Sequence, residues 1–206
     1  MIKICGITNL EDLKLIASLR PDAVGFVFAR SPRQVGIEAV KKMVDELPPG
    51  ISTFGVFVNP EKDLVDFAIR EAGIDIVQLH GDESPEFCKL FPQRVVKALR
   101  VKADDDLDRF KVYEPYVRGF LVDAWCAQSY GGTGKRVDLE LAKRLCGMFK
   151  RPVILAGGLD PSNLDEVLTC VQPFGVDVSS GVEERPGKKD LKRVKDFIII
   201  ARRFGL

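Results

Sequence analysis

The chain has 206 residues, 46% hydrophobic and 30% charged, which suits one domain with a full core; its 31 Lys and Arg offset 30 Asp and Glu, arguing against a nucleic-acid groove or an anionic membrane partner. Cys5, Cys88, Cys126, Cys146 and Cys170 are odd in number and contain no CxxC pair, so they read as reduced thiols of a cytoplasmic protein rather than a disulfide or zinc framework. No apolar stretch of signal-peptide length stands at Met1, and the run at residues 197–201 is too short to cross a bilayer.

The first predicted strand, residues 2–5, ends in Gly6, and residues 9–20 follow with helical spacing behind an Asn9 cap. Alternation puts Lys3 and Cys5 on one face of this strand and Ile2 and Ile4 on the other. A free cysteine is often only a small core hydrophobe, which is the reading for Cys88, Cys146 and Cys170 in helical patterns. Cys5 differs by position: it closes a strand, and Gly6 behind it lets the backbone turn and a ligand approach.

The second run ends near Phe28 and leads into SPR, where Arg33 offers the planar fork that suits a carboxylate or phosphate; a helix is expected over 38–47. The third run ends near Val58, with a helix over 60–73, and the fourth near Leu79. His80, the chain's one histidine, follows it and shares a face with Gln78. Without a second histidine or a nucleophile in register it supports neither a metal site nor a triad, and a positioning or structural role is expected. Ser84 opens a short helix over 84–91; the fifth run ends near Leu99, and residues 103–110 leave room for little more than a short helix.

The sixth run ends near Val122 and is closed by Asp123. A strand-end aspartate often only caps the next loop, but this one precedes SYGGTGK at 129–135, a glycine-rich segment suited to fold over a substrate. That segment departs from the P-loop pattern at Ser129 and Arg136, and no GxGxxG follows a strand, so no nucleotide cofactor is expected, nor any metal. A helix capped by Asp138 should cover 138–149. The seventh run ends near Leu155, followed by Gly157, Gly158 and a helix over 161–171 with Pro161 in its first turn. The eighth ends near Val178, followed by Ser180, Gly181 and a last helix within 190–204. Backbone N–H groups of these two loops, with a helix N-terminus behind, make an anion site.

Eight strands, each followed by a helix or its remnant, predict a single parallel (βα)8 TIM barrel over residues 1–206, with an open doubly wound sheet as the alternative. The chemistry then belongs at the carboxyl ends of the strands. Closure would set the eighth strand beside the first and pair Lys3 with Asp177, leaving positive charge near Cys5. The expected partner is a small phosphorylated molecule; a monomer and a homodimer fit the sequence equally well.

KICGIT (3–8), PDAVGFVF (21–28), SPR (31–33), GVFVN (55–59), VQLHG (77–81), LVDA (121–124), YGGTGK (130–135), AGGL (156–159) and GVDVSSGVE (175–183) run in order along the chain. Together they closely resemble the phosphoribosylanthranilate isomerase family. The resemblance implies a cofactor-free (βα)8 enzyme of tryptophan biosynthesis that converts N-(5′-phosphoribosyl)anthranilate to the 1-deoxyribulose phosphate by an Amadori rearrangement. It implies Cys5 as general base, Asp123 as general acid, Arg33 on the anthranilate carboxylate, and Gly157, Gly158, Ser180 and Gly181 around the phosphate. Two departures stand out: no aromatic residue follows Arg33 closely, and WCAQS (125–129) separates Asp123 from the glycine loop. An indole-3-glycerol-phosphate synthase would be expected to need a catalytic lysine, and a dual-substrate isomerase a pair of aspartates. A non-catalytic phosphate-binding module would not need both Cys5 and Asp123.

Overall fold

The computed structural model describes residues 1–101, 107–123 and 139–206. Its eight parallel strands are β1 (Ile2–Cys5), β2 (Ala23–Val27), β3 (Ser52–Phe57), β4 (Ile76–Leu79), β5 (Val95–Arg100), β6 (Gly119–Asp123), β7 (Val153–Ala156) and β8 (Gly175–Val178). They pair in chain order, and β8 returns to β1 with Lys3 opposite Asp177, so the barrel is closed and the open-sheet alternative is excluded.

Two cores explain why these runs form strands. Ile2, Ile4, Val24, Phe26, Val77 and Leu79 face outward into a layer shared with the helices, where Leu13, Ile16, Val40 and Val65 meet them. The alternate residues, Ala23, Phe54, Ile76, Val96, Leu121 and Ile154, fill the barrel interior. Burial on both faces is what turns the runs nearly continuously apolar. Each fully buried Ile, Leu or Phe contributes roughly 1.5–3 kcal/mol.

The outer ring holds α1 (Leu10–Ser18), α2 (Ile37–Val44), α3 (Lys62–Ala72), α4 (Pro85–Lys89), α5 (Leu139–Met148), α6 (Leu164–Cys170) and α7 (Leu191–Arg203). Asn9 caps α1 by accepting from the Asp12 N–H at 2.8 Å, and Ser84 caps α4 by accepting from the Phe87 N–H at 3.2 Å. The expected cap at Asp138 lies outside the described residues. The fifth connection carries a 3₁₀ helix, Leu107–Tyr116, in place of a regular helix, with Pro115 inside it. Among the described residues no helix is long and apolar enough to cross a membrane.

Three expectations need correction. Pro161 lies ahead of α6 rather than in its first turn, because the Asp160 carboxylate takes the Ser162 N–H (2.7 Å) and the Asn163 N–H (3.2 Å) in a tight turn that delays the helix. Cys170 is exposed and Cys146 half-buried, so of the three helical cysteines assigned to the core only Cys88 is fully buried. The segment after β8 leads first into a three-residue 3₁₀ turn, Ser180–Val182, and a two-stranded hairpin, β9 (Glu183–Arg185) and β10 (Lys188–Lys189), and only then into α7. No full helix therefore stands directly behind Ser180 and Gly181.

Candidate active site

Cys5 ends β1 with its side chain toward the barrel mouth and is 6% exposed. The strand partner is Gly25, and the reason for glycine there is steric: a Cβ would fall 2.7 Å from Cys5 Sγ and 3.2 Å from Lys3 Nζ. Gly6 takes a left-handed φ of +77°, and a Cβ on it would meet the Arg33 side chain at 2.7 Å. Glycine at both places leaves room for the side chains of Cys5, Lys3 and Arg33.

Beneath the thiol, Lys3 is fully buried and its Nζ lies 2.8 Å from Asp177 Oδ1, the pair anticipated from strand order. The ammonium also sits 5.1 Å from the centre of the Phe54 ring. Burial works against the charged lysine, but Asp177 and then Cys5 outweigh it and raise its pKa. For Cys5 the balance runs the other way: burial pushes the thiol above its ordinary value, and the opposing pull of Lys3 is smaller. The cation is present as anticipated, yet it does not by itself make Cys5 a thiolate.

Cys5 and Asp123 line one cavity of about 280 Å³ at the carboxyl end of the barrel, together with Arg33, Gly157, Gly158 and Ser180. Asp123 comes from the end of β6, with its Oδ1 buried. Gly157 and Gly158 hold left-handed φ values of +86° and +67° in the loop after β7. Gly181 packs behind them, and a Cβ on it would fall 2.0 Å from the Leu159 oxygen; backbone contact of this kind ties the two glycine loops into one rim. Larger hollows exist along α3 and at the opposite barrel mouth, but neither holds any of these groups.

Arg33 is not free in solvent. Its Nε and terminal amine bond both oxygens of Glu183, at 2.8 and 2.6 Å. Burial alone would raise the Glu183 carboxyl, but bonds from Arg33 and Lys189 hold it below the usual range. Lys189 Nζ reaches Glu183 Oε1 and the Ser179 carbonyl, both at 3.0 Å, so a buried charge cluster links the arginine to the loop after β8. Glu183 fixes the guanidinium on one edge and leaves its other donors for a ligand.

His80 also lines the cavity, with Nδ1 3.0 Å from the Gln78 side-chain nitrogen. Burial, then the Arg100 charge, push its pKa down from 6.5 to about 4, so the ring is neutral at pH 7. Between these two values the unfolded chain binds the proton that the folded chain rejects, so stability falls as pH drops through that window. The full loss at pH 4 is on the order of 3 kcal/mol. Urea unfolding at pH 7 and pH 5 should show this component in the wild type and lose it in His80→Gln; an identical pH dependence in both would contradict it.

Comparison with known proteins follows the same lines. The family model for N-(5′-phosphoribosyl)anthranilate (PRA) isomerase matches residues 2–199. The chain belongs to the phosphoribosylanthranilate isomerase family. A relative of that name from Citrifermentans bemidjiense is 44% identical over 206 residues, covering 100% of this chain and 98% of its own. The crystal structure of the Thermotoga maritima enzyme is 40% identical with a TM-score of 0.87, covering 100% of this chain and 98% of that one. A phosphoribosyl anthranilate isomerase solved with reduced 1-(o-carboxyphenylamino)-1-deoxyribulose 5-phosphate is 38% identical with a TM-score of 0.85 and the same coverage.

Within this phosphoribosylanthranilate isomerase barrel, Glu183 and Lys189 escaped the reading of the sequence. Their signal was weak: a VEE and a KKD inside a polar stretch look like solvated charge until the β9–β10 hairpin folds them inward. The glycine loop at 129–135, the WCAQS insert and Cys126 lie outside the described residues. Among the described residues no cluster of three or more His, Cys, Asp or Glu is arranged to hold a metal ion.

Proposed function

We propose that the chain is a cofactor-free cytoplasmic enzyme of tryptophan biosynthesis that isomerises N-(5′-phosphoribosyl)anthranilate by an Amadori rearrangement, with Cys5 as general base and Asp123 as general acid. The observation that carries this reading is one cavity lined by a thiol from β1 and a carboxyl from β6, with a glycine-rich rim at β7 and β8. Gly157, Gly158, Ser180 and Gly181 receive the phosphate. Arg33, steadied by Glu183, takes the anthranilate carboxylate on its remaining donors. Lys3 and Asp177 support Cys5 from below.

With the two anionic ends anchored, the sugar carbons cross the barrel mouth. Asp123 gives its proton to the ring oxygen; the bond from that oxygen to C1′ breaks as the nitrogen lone pair forms a protonated C=N. Cys5 then removes the C2′ proton, and the released electron pair neutralises the iminium to give the enolamine. Loss of the hydroxyl proton at C2′ and protonation at C1′ yield the ketone. The reaction exchanges protons within one molecule and needs no external oxidant or reductant, so a positioned acid and base suffice.

The raised thiol is compatible with this order of events. In the free protein burial keeps the proton on Cys5. Once ring opening creates a cation beside it, opposite charge favours the thiolate at the moment it is needed. Asp123 has by then surrendered its proton, so acid step and base step follow one another.

The purified protein is expected to convert freshly prepared phosphoribosylanthranilate to the 1-deoxyribulose phosphate, followed by chromatographic separation of the two. A folded protein with no turnover would overturn the reading.

A further inference from the structure

The mechanism above leaves Gln78 without a task. Its side chain is 1% exposed, it lines the cavity from β4, and its Oε1 is buried with no hydrogen-bond partner among the described residues. Buried polar atoms are nearly always paired, so an orphan at a cavity wall points to a ligand. The other end of the amide is already committed, since its nitrogen lies 3.0 Å from His80 Nδ1. With the amide nitrogen against it, Nδ1 of the neutral ring is the acceptor and the ring proton sits on Nε2. The result is a hydrogen-bond acceptor held in place at the barrel mouth.

An acceptor cannot recognise either anchored end of the substrate, because phosphate and carboxylate are themselves acceptors. The anilinic N–H is flanked by its own ortho carboxylate. The hydroxyls of the sugar are the donors that remain. The strand order supports the same part of the molecule: in an eight-stranded ring β4 lies opposite β8, across the mouth from the rim assigned to phosphate. A ligand held at β7–β8 and at Arg33 passes its middle between Cys5, Asp123 and Gln78.

We propose that Gln78 Oε1 accepts a hydrogen bond from a hydroxyl of the ring-opened sugar, with His80 holding the amide in that orientation. The assignment rests on the isomerase reading and adds to it a residue that orients C2′ toward Cys5. His80 acts through Gln78 and is a positioning residue. Its neutrality fits a pocket that already carries Lys3 and Arg33 and must pass through a cationic Schiff base, where another positive charge would repel.

Titration calorimetry with reduced 1-(o-carboxyphenylamino)-1-deoxyribulose 5-phosphate tests this. Gln78→Met keeps the length and loses the acceptor, so it should bind the analogue about tenfold more weakly than the wild type while remaining folded; the unpaired Oε1 and the partner of His80 Nδ1 are removed together, and their effects on stability oppose one another. A second measurement is independent of the variant. His80 is the one histidine in the chain, so the imidazole ¹⁵N signals belong to it alone, and they should report the Nε2–H tautomer in the free and the bound wild type. Equal affinity of wild type and Gln78→Met, or an Nδ1–H ring, would overturn the assignment. Failure of the wild type itself to bind the analogue would overturn the isomerase reading and this assignment with it.

Discussion

Cys5→Ala is expected to lower kcat for phosphoribosylanthranilate by about two to four powers of ten, the usual contribution of a positioned base. The affinity should change little, because the phosphate rim and Arg33 are untouched and neither depends on the sulfur for its position. The fold should also survive. Alanine fits the space that Gly25 leaves open beside residue 5, and one sulfur lost from a site of this burial costs about 1 kcal/mol. A loss of only a few fold in kcat, in a variant with an unchanged unfolding midpoint, would reduce Cys5 to the small core hydrophobe that a buried thiol often is.

The largest effect on stability is expected from Asp177→Asn. Lys3 is fully buried and its ammonium depends on this carboxylate, which is itself 8% exposed. Removing the negative charge leaves a buried cation without compensation, at a cost of roughly 3–5 kcal/mol. Part of that is relieved as Lys3 gives up its proton, since burial already works against the charged form and Asp177 is the chief force opposing it. The double variant Lys3→Met/Asp177→Leu should recover most of the loss, because a buried ion pair replaced by apolar groups of similar volume is often neutral or better. Chemical denaturation of the three proteins reads this directly. A single variant within about 0.5 kcal/mol of the wild type would mean that water or another group solvates Lys3.

The strand order was readable because short apolar runs, each closed by Gly, Asn, Asp or Pro and followed by helical spacing, recur eight times along the chain, and closure follows from that count. The Lys3–Asp177 pair was readable for the same reason: in a closed barrel β8 must lie beside β1, and the register sets those two residues opposite each other. The Arg33–Glu183 pair was not, since its members stand 150 residues apart and meet only because a hairpin tucks Glu183 under the loop after β2. The charge beside Cys5 was readable from strand order, and Lys3 does sit by the thiol; the balance around it was not, because burial outweighs that charge in the folded site. In VQLHG Gln78 stands out only for sharing a face with His80, and it takes the fold to show that one end of its amide has no partner among the described residues.

The proposed reaction needs an acid and a base across one cavity, and its most direct measurement is steady-state turnover of phosphoribosylanthranilate by Asp123→Asn beside the wild type. The amide keeps the size of the side chain at the end of β6 but has no proton to give to a ring oxygen. Binding of the reduced product analogue should persist, while kcat falls by about two to four powers of ten. If Asp123→Asn binds the analogue and still turns over within a few fold of the wild type, ring opening does not draw its proton from this residue and the proposed mechanism is wrong.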